Sequence, residues 1–163
     1  MKKKKIIYVP MGADIIHSGH LNIINKAKKY GEIVIGLFTD TAIAEYKTLP
    51  LINYSQRLDI MKNIKGISKI MKQDTWDYTN NLNKLKPNYV IHGDDWKIGI
   101  QKKTRLKVIK LLKKWKGQLI EVPYTKKINI KENRKNVKSI FHNPETRVSR
   151  LSRLIGSKKI VRF

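Results

Sequence analysis

Residues 6–20 of the chain read IIYVPMGADIIHSGH, and this stretch decides the fold. Its apolar start, Ile6–Val9, predicts a first β-strand, and the apolar spacing after His20 predicts that a helix follows at once. His17 and His20 are three residues apart, so at a helix start they share a face. A helix N-terminus attracts anions, and Gly19 lets a phosphate approach the backbone. The stretch therefore predicts a strand–turn–helix site for a polyphosphate.

The histidine pair has two other interpretations. Both residues can be ordinary surface or N-cap residues, which is the usual role of a single histidine. Both can instead be zinc ligands, but the chain has no cysteine and Asp14 is the only third ligand placed nearby. The spacing and the strand-to-helix placement favour anion binding over both.

The length and composition indicate one domain with a modest appendage. The chain has 163 residues and no cysteine, which excludes disulfides and fits a reducing compartment, so we expect a cytoplasmic protein. No apolar stretch is long enough to cross a membrane, and the short apolar segment after the N-terminal lysines argues against secretion.

The formal charge is +24, from 36 Lys and Arg against 12 Asp and Glu. Such an excess attracts nucleic acid, anionic lipid or phosphorylated metabolites. The lysines are spread along the chain, however, and those of residues 102–116 are interspersed with apolar positions typical of a packed amphipathic helix. Those positions are Leu106, Ile109, Leu112 and Trp115. Nucleic-acid binding stays an alternative, but we expect no specific nucleic-acid partner.

Short apolar segments alternate with helical ones over the first 125 residues. The predicted strands are Ile6–Val9, Ile33–Phe38, Ile67–Met71, Tyr89–His92 and Leu119–Val122. The predicted helices are Leu21–Tyr30, Ser55–Ile64, Tyr78–Leu85 and Thr104–Trp115. This alternation predicts an α/β fold with a five-stranded parallel sheet and helices on both faces.

Polar residues follow the ends of four predicted strands, where the ligands of such a sheet bind. They are His17 and His20, Thr39-Asp40, Gly93-Asp94-Asp95-Trp96, and Tyr124-Thr125.

The composition changes after Thr125. Residues 126–142 are basic and asparagine-rich, and we expect a linker or a C-terminal helix there. Pro144 can open a further helix. Its apolar stripe, Val148 to Ile155, has no obvious partner in the chain, so residues 143–163 are predicted to dock onto something else. The nucleotide-binding domain itself is predicted to span residues 1–125.

Two motifs resemble a known family. The segment Met11–His20 resembles the HxGH signature of the cytidylyltransferase-type nucleotidyltransferases, and Gly93–Trp96 resembles a motif that the glycerol-phosphate and choline-phosphate cytidylyltransferases carry after the fourth strand. Tyr46-Lys47 and Tyr54–Arg57 stand in the expected places between them. HxGH alone is shared with adenylyltransferases, whereas HxGH with a downstream GDDW points to the cytidylyltransferase branch. The resemblance implies a Rossmann-like nucleotidyltransferase fold.

A narrower resemblance is to phosphonate cytidylyltransferase domains, of the 2-aminoethylphosphonate or 2-hydroxyethylphosphonate type. It rests on Ala13–His17, Leu49-Pro50, Asn63–Gly66 and His92–Lys97. Those domains are often fused upstream of a phosphoenolpyruvate mutase barrel, and residues 143–163 are similar to that mutase's linker and first helix. The resemblance implies a mutase domain as partner, fused or separate; we leave a homodimer open.

The reaction that this resemblance implies is transfer of CMP from CTP to a phosphonate or phosphate monoester, with Mg²⁺ and release of pyrophosphate. The implied catalytic residues are His17, His20 and Lys47. The implied nucleotide-binding residues are Gly12, Asp14, His17, Gly19, His20, Asp94, Tyr124 and Thr125. The implied acceptor-binding residues are Lys47, Arg57 and Trp96, and Asp14 is the candidate metal ligand. From the residues alone, Lys47 can be a chance placement, Arg57 a solvated helix residue, Asp94 a turn residue and Trp96 a core residue.

One stretch departs from the family pattern. After the fifth strand, family members carry a signature of the form Arg- or Tyr-Thr-x-Gly-Ile-Ser-Ser/Thr, but here Lys127 replaces the glycine, and Asn129 and Ile130 replace the hydroxyls. Beside the nucleic-acid alternative, three hypotheses stand: a phosphonate cytidylyltransferase, a glycerol-phosphate or choline-phosphate type of cytidylyltransferase, and a catalytically weakened nucleotide-binding or docking module.

Overall fold

The computed structural model describes residues 4–45 and 49–123. These residues belong to the first of the two units into which the chain divides, Met1–Thr125. The predictions for residues 126–142 and 143–163 lie outside the described residues. None of the described helices combines the length and the apolar character needed to span a membrane.

The described residues form a five-stranded sheet in which every pairing is parallel, in the order β3-β2-β1-β4-β5. The strands are β1 (Ile6–Met11), β2 (Glu32–Phe38), β3 (Ile67–Gln73), β4 (Tyr89–Gly93) and β5 (Gln118–Val122). The predicted fold class is therefore confirmed. The direction of winding reverses between β1 and β4, so the ligand-binding switch point of the sheet lies there.

Helices cover both faces of the sheet. They are α1 (Ser18–Lys28), α2 (Asp40–Ala44), α3 (Tyr54–Lys62), α4 (Thr79–Leu85) and α5 (Lys102–Lys113), with two 3₁₀ turns, Asp94–Lys97 and Gly99–Gln101. Buried residues of α1 and α3 pack with one set of strand side chains, and those of α2, α4 and α5 with the other. Successive residues of β1 take part in both clusters, with Tyr8 on one face and Ile7 and Val9 on the other, as the two-residue period of a strand requires.

Two helical predictions need correction. Helix α2 was not predicted, because five residues are too few to show an apolar period. The predicted apolar stripe of α5 was wrong at Leu106, which is 53% exposed. The buried face instead contains Val108, Leu111 and Leu112, a set with the 3.6-residue period that excludes Leu106.

Gly36 in β2 has a steric role. A Cβ atom added there would lie 1.9 Å from the Tyr8 hydroxyl. That hydroxyl is buried, donates to Gln73 Oε1 at 2.5 Å and accepts from Asn81 Nδ2 at 3.1 Å, so it cannot move without breaking both bonds. Burial raises the pKa of Tyr8, which keeps the hydroxyl protonated.

We expect Gly36→Ala to lower the free energy of unfolding by about 1–3 kcal/mol, the usual cost of overpacking a core. Gly12→Ala is the matched control, because its Cβ would meet Ile43 Cδ1 at an ordinary 3.6 Å. Urea unfolding of both variants is the measurement. Equal stability losses in the two variants would contradict this account of Gly36.

Candidate active site

The turn between β1 and α1 lies at the switch point of the sheet. Gly12 follows the last residue of β1, and Ala13 has a φ of 53°, a left-handed conformation that residues with a Cβ rarely adopt. Ala13 is also buried. Such backbone conformations persist only where the surroundings impose them, and they cluster at functional sites.

His17 is the N-cap of α1. Its backbone is extended, and its Nδ1 accepts the N–H of Gly19 at 3.1 Å. Burial lowers the pKa of His17, so the ring is neutral near pH 7. A neutral imidazole that accepts at Nδ1 carries its proton on Nε2. His17 can therefore donate an N–H to a ligand at this helix start.

The His20 ring lies beside that of His17, with 4.0 Å between the ring centroids and 45° between the planes. The predicted placement of the pair on one face of a helix start is therefore observed. The amides of Gly19, His20 and Leu21 all bond to His17. These three amides are thus already engaged, and the donor identified at this helix start is the Nε2–H of His17.

The burial of the His17 ring makes the free energy of unfolding depend on pH. Because the folded-state pKa of His17 is lowered, the unfolded chain binds the proton more readily. The contribution is complete above pH 6.5 and is lost as the pH falls through the folded-state value. Burial lowers the pKa of His92 as well. Protonation of either histidine at acid pH therefore lowers the free energy of unfolding.

We expect His17→Asn, which keeps a capping side chain without a titrating group, to reduce the loss of unfolding free energy between pH 7.5 and about 5. Urea unfolding at each pH is the measurement, and His92 leaves a residual slope. An unchanged slope in His17→Asn would show that the cap does not titrate.

The Asp14 side chain links the turn between β1 and α1 to the segment that precedes α3. Its Oδ1 accepts the backbone N–H of Leu51 at 2.7 Å and of Ile52 at 3.1 Å. Two amides thus engage Oδ1, and the metal-ligand role of Asp14 stays a prediction. Within residues 4–45 and 49–123, no group of three His, Cys, Asp or Glu side chains could hold a metal ion. We derive no step through a metal held by the protein.

Arg57 requires a correction. It was predicted to clamp the acceptor, or else to lie on a solvated helix face, but its side chain is fully buried. Nε donates to Ile52 O at 2.9 Å, and Nη1 donates to Gly12 O and Phe38 O at 2.6 and 2.7 Å. Nη2 donates to Asp40 Oδ1 at 2.6 Å. Four of the five N–H groups of a guanidinium are thus used within the chain, so Arg57 holds the ends of β1 and β2 together.

Trp96 also requires a correction. It was predicted as an acceptor-binding residue or else a core residue, and its fully buried side chain agrees with the core role. Its ring stacks on His92 with 3.8 Å between the centroids and 6° between the planes. The same turn begins at Gly93 and brings Asp94, the predicted nucleotide-binding residue, to the end of β4 in a half-buried position. Because β4 pairs with β1, this turn and the His17 turn follow neighbouring strands.

Glu121, which the sequence prediction missed, lies at the end of β5. It accepts from Trp96 Nε1 at 2.8 Å and from Arg105 Nε and Nη2 at 2.8 and 3.1 Å. The paired Arg105 guanidinium lowers the pKa of Glu121 to about 2. A signal was present in the sequence, because Glu121 is the only acidic residue between Trp96 and Pro123.

A groove of about 390 Å³ lies on the α2, α4 and α5 face of the sheet. Its lining includes Trp76 and Asp77, which follow β3, Glu45, which follows α2, and Lys103 and Lys107 from α5. The Lys107 ammonium contacts Asp77 Oδ2 at 2.5 Å. The sequence prediction missed the groove, because three separate segments contribute to it.

Three predicted site residues, Lys47, Tyr124 and Thr125, lie outside the described residues. Among the others, the structure brings together His17, His20 and Gly19 at the start of α1 and places Gly12 and Asp14 in the turn before it. Asp94 lies at the end of the adjoining strand β4. Arg57 and Trp96, by contrast, are both buried in the structure.

Comparisons with known proteins identify the family of the chain. The cytidylyltransferase-like family model matches residues 13–160. The chain is 30% identical over 111 residues to an ethanolamine-phosphate cytidylyltransferase of Dictyostelium discoideum, covering 67% of this chain and 31% of that protein. It is 30% identical over 82 residues to an FAD synthase of Archaeoglobus fulgidus, covering 50% and 60%. The chain thus spans less than two thirds of either relative.

A solved structure shows the same fold. The lipopolysaccharide core biosynthesis protein of Thermoplasma volcanium superimposes with a TM-score of 0.62 at 18% sequence identity, covering 76% of this chain and 98% of that one. With the family match over most of the chain, the strand order and the histidine pair at the start of α1, this protein belongs to the cytidylyltransferase-like family.

Proposed function

We propose that the chain transfers CMP from CTP to a phosphonate or phosphate monoester and releases pyrophosphate. The single observation that carries the proposal is the pair of neighbouring imidazoles at the start of α1, with the His17 Nε2–H as a donor. Phosphoryl-type transfer needs little covalent help from a protein, so positioned donors supply most of the effect.

In this reaction an oxygen of the acceptor forms a bond to the α-phosphorus, and the bond from that phosphorus to the bridging oxygen breaks. Pyrophosphate leaves with the bonding electron pair. His17 and His20 would donate to the α- and β-phosphates as negative charge moves toward pyrophosphate. Mg²⁺ would enter with the triphosphate, because this ion is usually held by substrate phosphates and only one or two carboxylates. Lys47 remains the proposed group that neutralises the negative charges of the triphosphate and of the acceptor as the two substrates come together.

We propose the groove beside α5 as the acceptor site. Lys103 offers a cation for a phosphonate, and Glu45 offers a carboxylate for an amine. The Trp76 ring forms an apolar wall and stacks on Phe38 with 4.5 Å between the centroids. A groove with both charges suits an aminoalkyl phosphonate or phosphate.

The choice of CTP over ATP as the nucleotide is a separate part of the proposal. The GDDW motif at Gly93–Trp96 supports CTP, whereas the similarity to an FAD synthase supports ATP, because FAD contains an adenylyl group. The phosphoenolpyruvate mutase partner remains proposed on residues 143–163 alone.

The test is a panel in which CTP or ATP is combined, with Mg²⁺, with 2-aminoethylphosphonate, phosphoethanolamine, phosphocholine or glycerol 3-phosphate. Pyrophosphate release is measured. We expect the fastest release with CTP and 2-aminoethylphosphonate. Release with ATP but not with CTP would overturn the nucleotide assignment. A preference for one of the phosphate esters would support a cytidylyltransferase of the glycerol-phosphate or choline-phosphate type. No release from any pair would overturn the enzymatic proposal.

A weakened binding or docking module is the second candidate function. The observation that favours it is Lys127 in place of the family's glycine. A stably folded chain that shows no transfer and no thermal stabilisation by CTP would support the docking module, because a ligand bound only by the folded state raises the melting temperature.

A further inference from the structure

Glu121 joins three elements of the described structure at one carboxylate. Its side chain is only 16% exposed at the end of β5. It receives the Trp96 indole N–H from the turn after β4 and two N–H groups of Arg105 from α5, all within 3.1 Å. The Lys97 ammonium lies 3.5 Å away. A bidentate contact between arginine and a carboxylate fixes geometry as well as charge, so Glu121 is held firmly.

The contacts of the Trp96 side chain restrict the position of the Gly93–Trp96 turn. One face of its ring lies against His92, and its N–H is bound to Glu121. The His92 ring in turn lies with Nδ1 2.9 Å from Gly93 O. The turn is therefore contacted at its start through Gly93 O and at its end through the Trp96 ring.

We infer that Glu121 and Arg105 are positioning residues that hold the Gly93–Trp96 turn, and with it Asp94, in the orientation that binds the nucleotide. The inference rests on the proposed function. Neither residue needs to touch the nucleotide, because each acts through Trp96. An interaction made equally in the ground state and the transition state changes KM rather than kcat. Loosening the turn should therefore weaken nucleotide binding more than it slows transfer.

The experiment compares Glu121→Gln, Arg105→Lys and the wild-type chain. Glutamine can still accept the Trp96 N–H but loses the charge that binds Arg105, and lysine cannot make the bidentate contact. Glu32→Gln is the matched control, since Glu32 pairs only with Lys4 at the surface, at 3.5 Å, among the described residues. Three readouts are recorded: the KM for CTP, kcat, and the ¹H–¹⁵N indole resonance of Trp96, which reports its hydrogen bond independently of activity.

We expect Glu121→Gln to raise the KM for CTP about tenfold, equivalent to about 1.4 kcal/mol, with kcat within about twofold and a displaced indole resonance. Arg105→Lys should show a smaller change in the same direction, and Glu32→Gln none. A displaced resonance with an unchanged KM would overturn the inference while leaving the proposed function intact. A wild-type chain that neither binds CTP in calorimetry nor releases pyrophosphate would overturn both. Thermal melting shows that each variant is folded.

Discussion

Replacing His17 by Asn or His20 by Gln is expected to lower the kcat of nucleotidyl transfer by about one hundred- to one thousandfold. Each imidazole is proposed to donate to a phosphate on which negative charge grows, and removal of one such donor typically costs this much. Pyrophosphate release at saturating CTP and acceptor is the measurement. Because the two rings are only 4.0 Å apart, we expect the double variant to lose less than the product of the single losses.

The choice of Asn for His17 separates catalysis from folding. Alanine would remove the cap on the Gly19 amide at a cost of about 1 kcal/mol, whereas Asn preserves a capping oxygen. The control is Glu32→Gln, because Glu32 pairs with Lys4 at the surface and does not belong to the histidine pair. Single variants that keep more than half of the wild-type kcat while remaining folded would remove the histidine pair from the mechanism.

Replacing Arg57 by Met is expected to lower the free energy of unfolding by about 3–5 kcal/mol. The change leaves three main-chain carbonyls without their buried donor and leaves Asp40 without its ion pair, and breaking one half of a buried charged network carries a cost of this size. Urea unfolding is the measurement. Arg57→Lys should also destabilise the chain, since one ammonium cannot reach four acceptors on different segments.

The control for Arg57 is Lys62→Met. Lys62 forms a surface pair with Asp59 at 3.3 Å, and exposed pairs contribute about 0–1 kcal/mol. The original prediction, an acceptor clamp, has a different signature: Arg57→Lys would then keep its stability and raise the KM for the acceptor alone. That result would restore the clamp and contradict the buried role.

The strands could be predicted from the sequence because their patterns are local. Buried parallel strands appear as short continuous apolar runs, and each predicted strand overlaps an observed one. The same local pattern placed the His17 and Asp94 turns at the carboxyl edge of the sheet. Helix α2 could not be predicted, since five residues between a cap at Thr39 and the following loop show no period.

The sequence left a core and an acceptor-binding role open for Trp96 and missed the buried role of Arg57, because both roles depend on contacts between distant segments. Arg57 looks like a solvated or ligand-binding cation in the sequence, and only the folded chain brings the carbonyls of Gly12 and Phe38 to it. Trp96 follows two aspartates, as a binding-site aromatic would, yet its partner Glu121 is 25 residues away. A motif identifies which residues matter, but it does not show whether they face the ligand or support those that do.

The central claim is that the imidazoles of His17 and His20 bind the phosphates of a nucleoside triphosphate at the start of α1. A crystal structure of the chain with CTP and Mg²⁺ tests it most directly. The claim predicts the α- and β-phosphate oxygens within about 3 Å of His17 Nε2 and of a His20 ring nitrogen, at hydrogen-bond distance. A triphosphate bound at another edge of the sheet, or one that contacts neither ring, would contradict it.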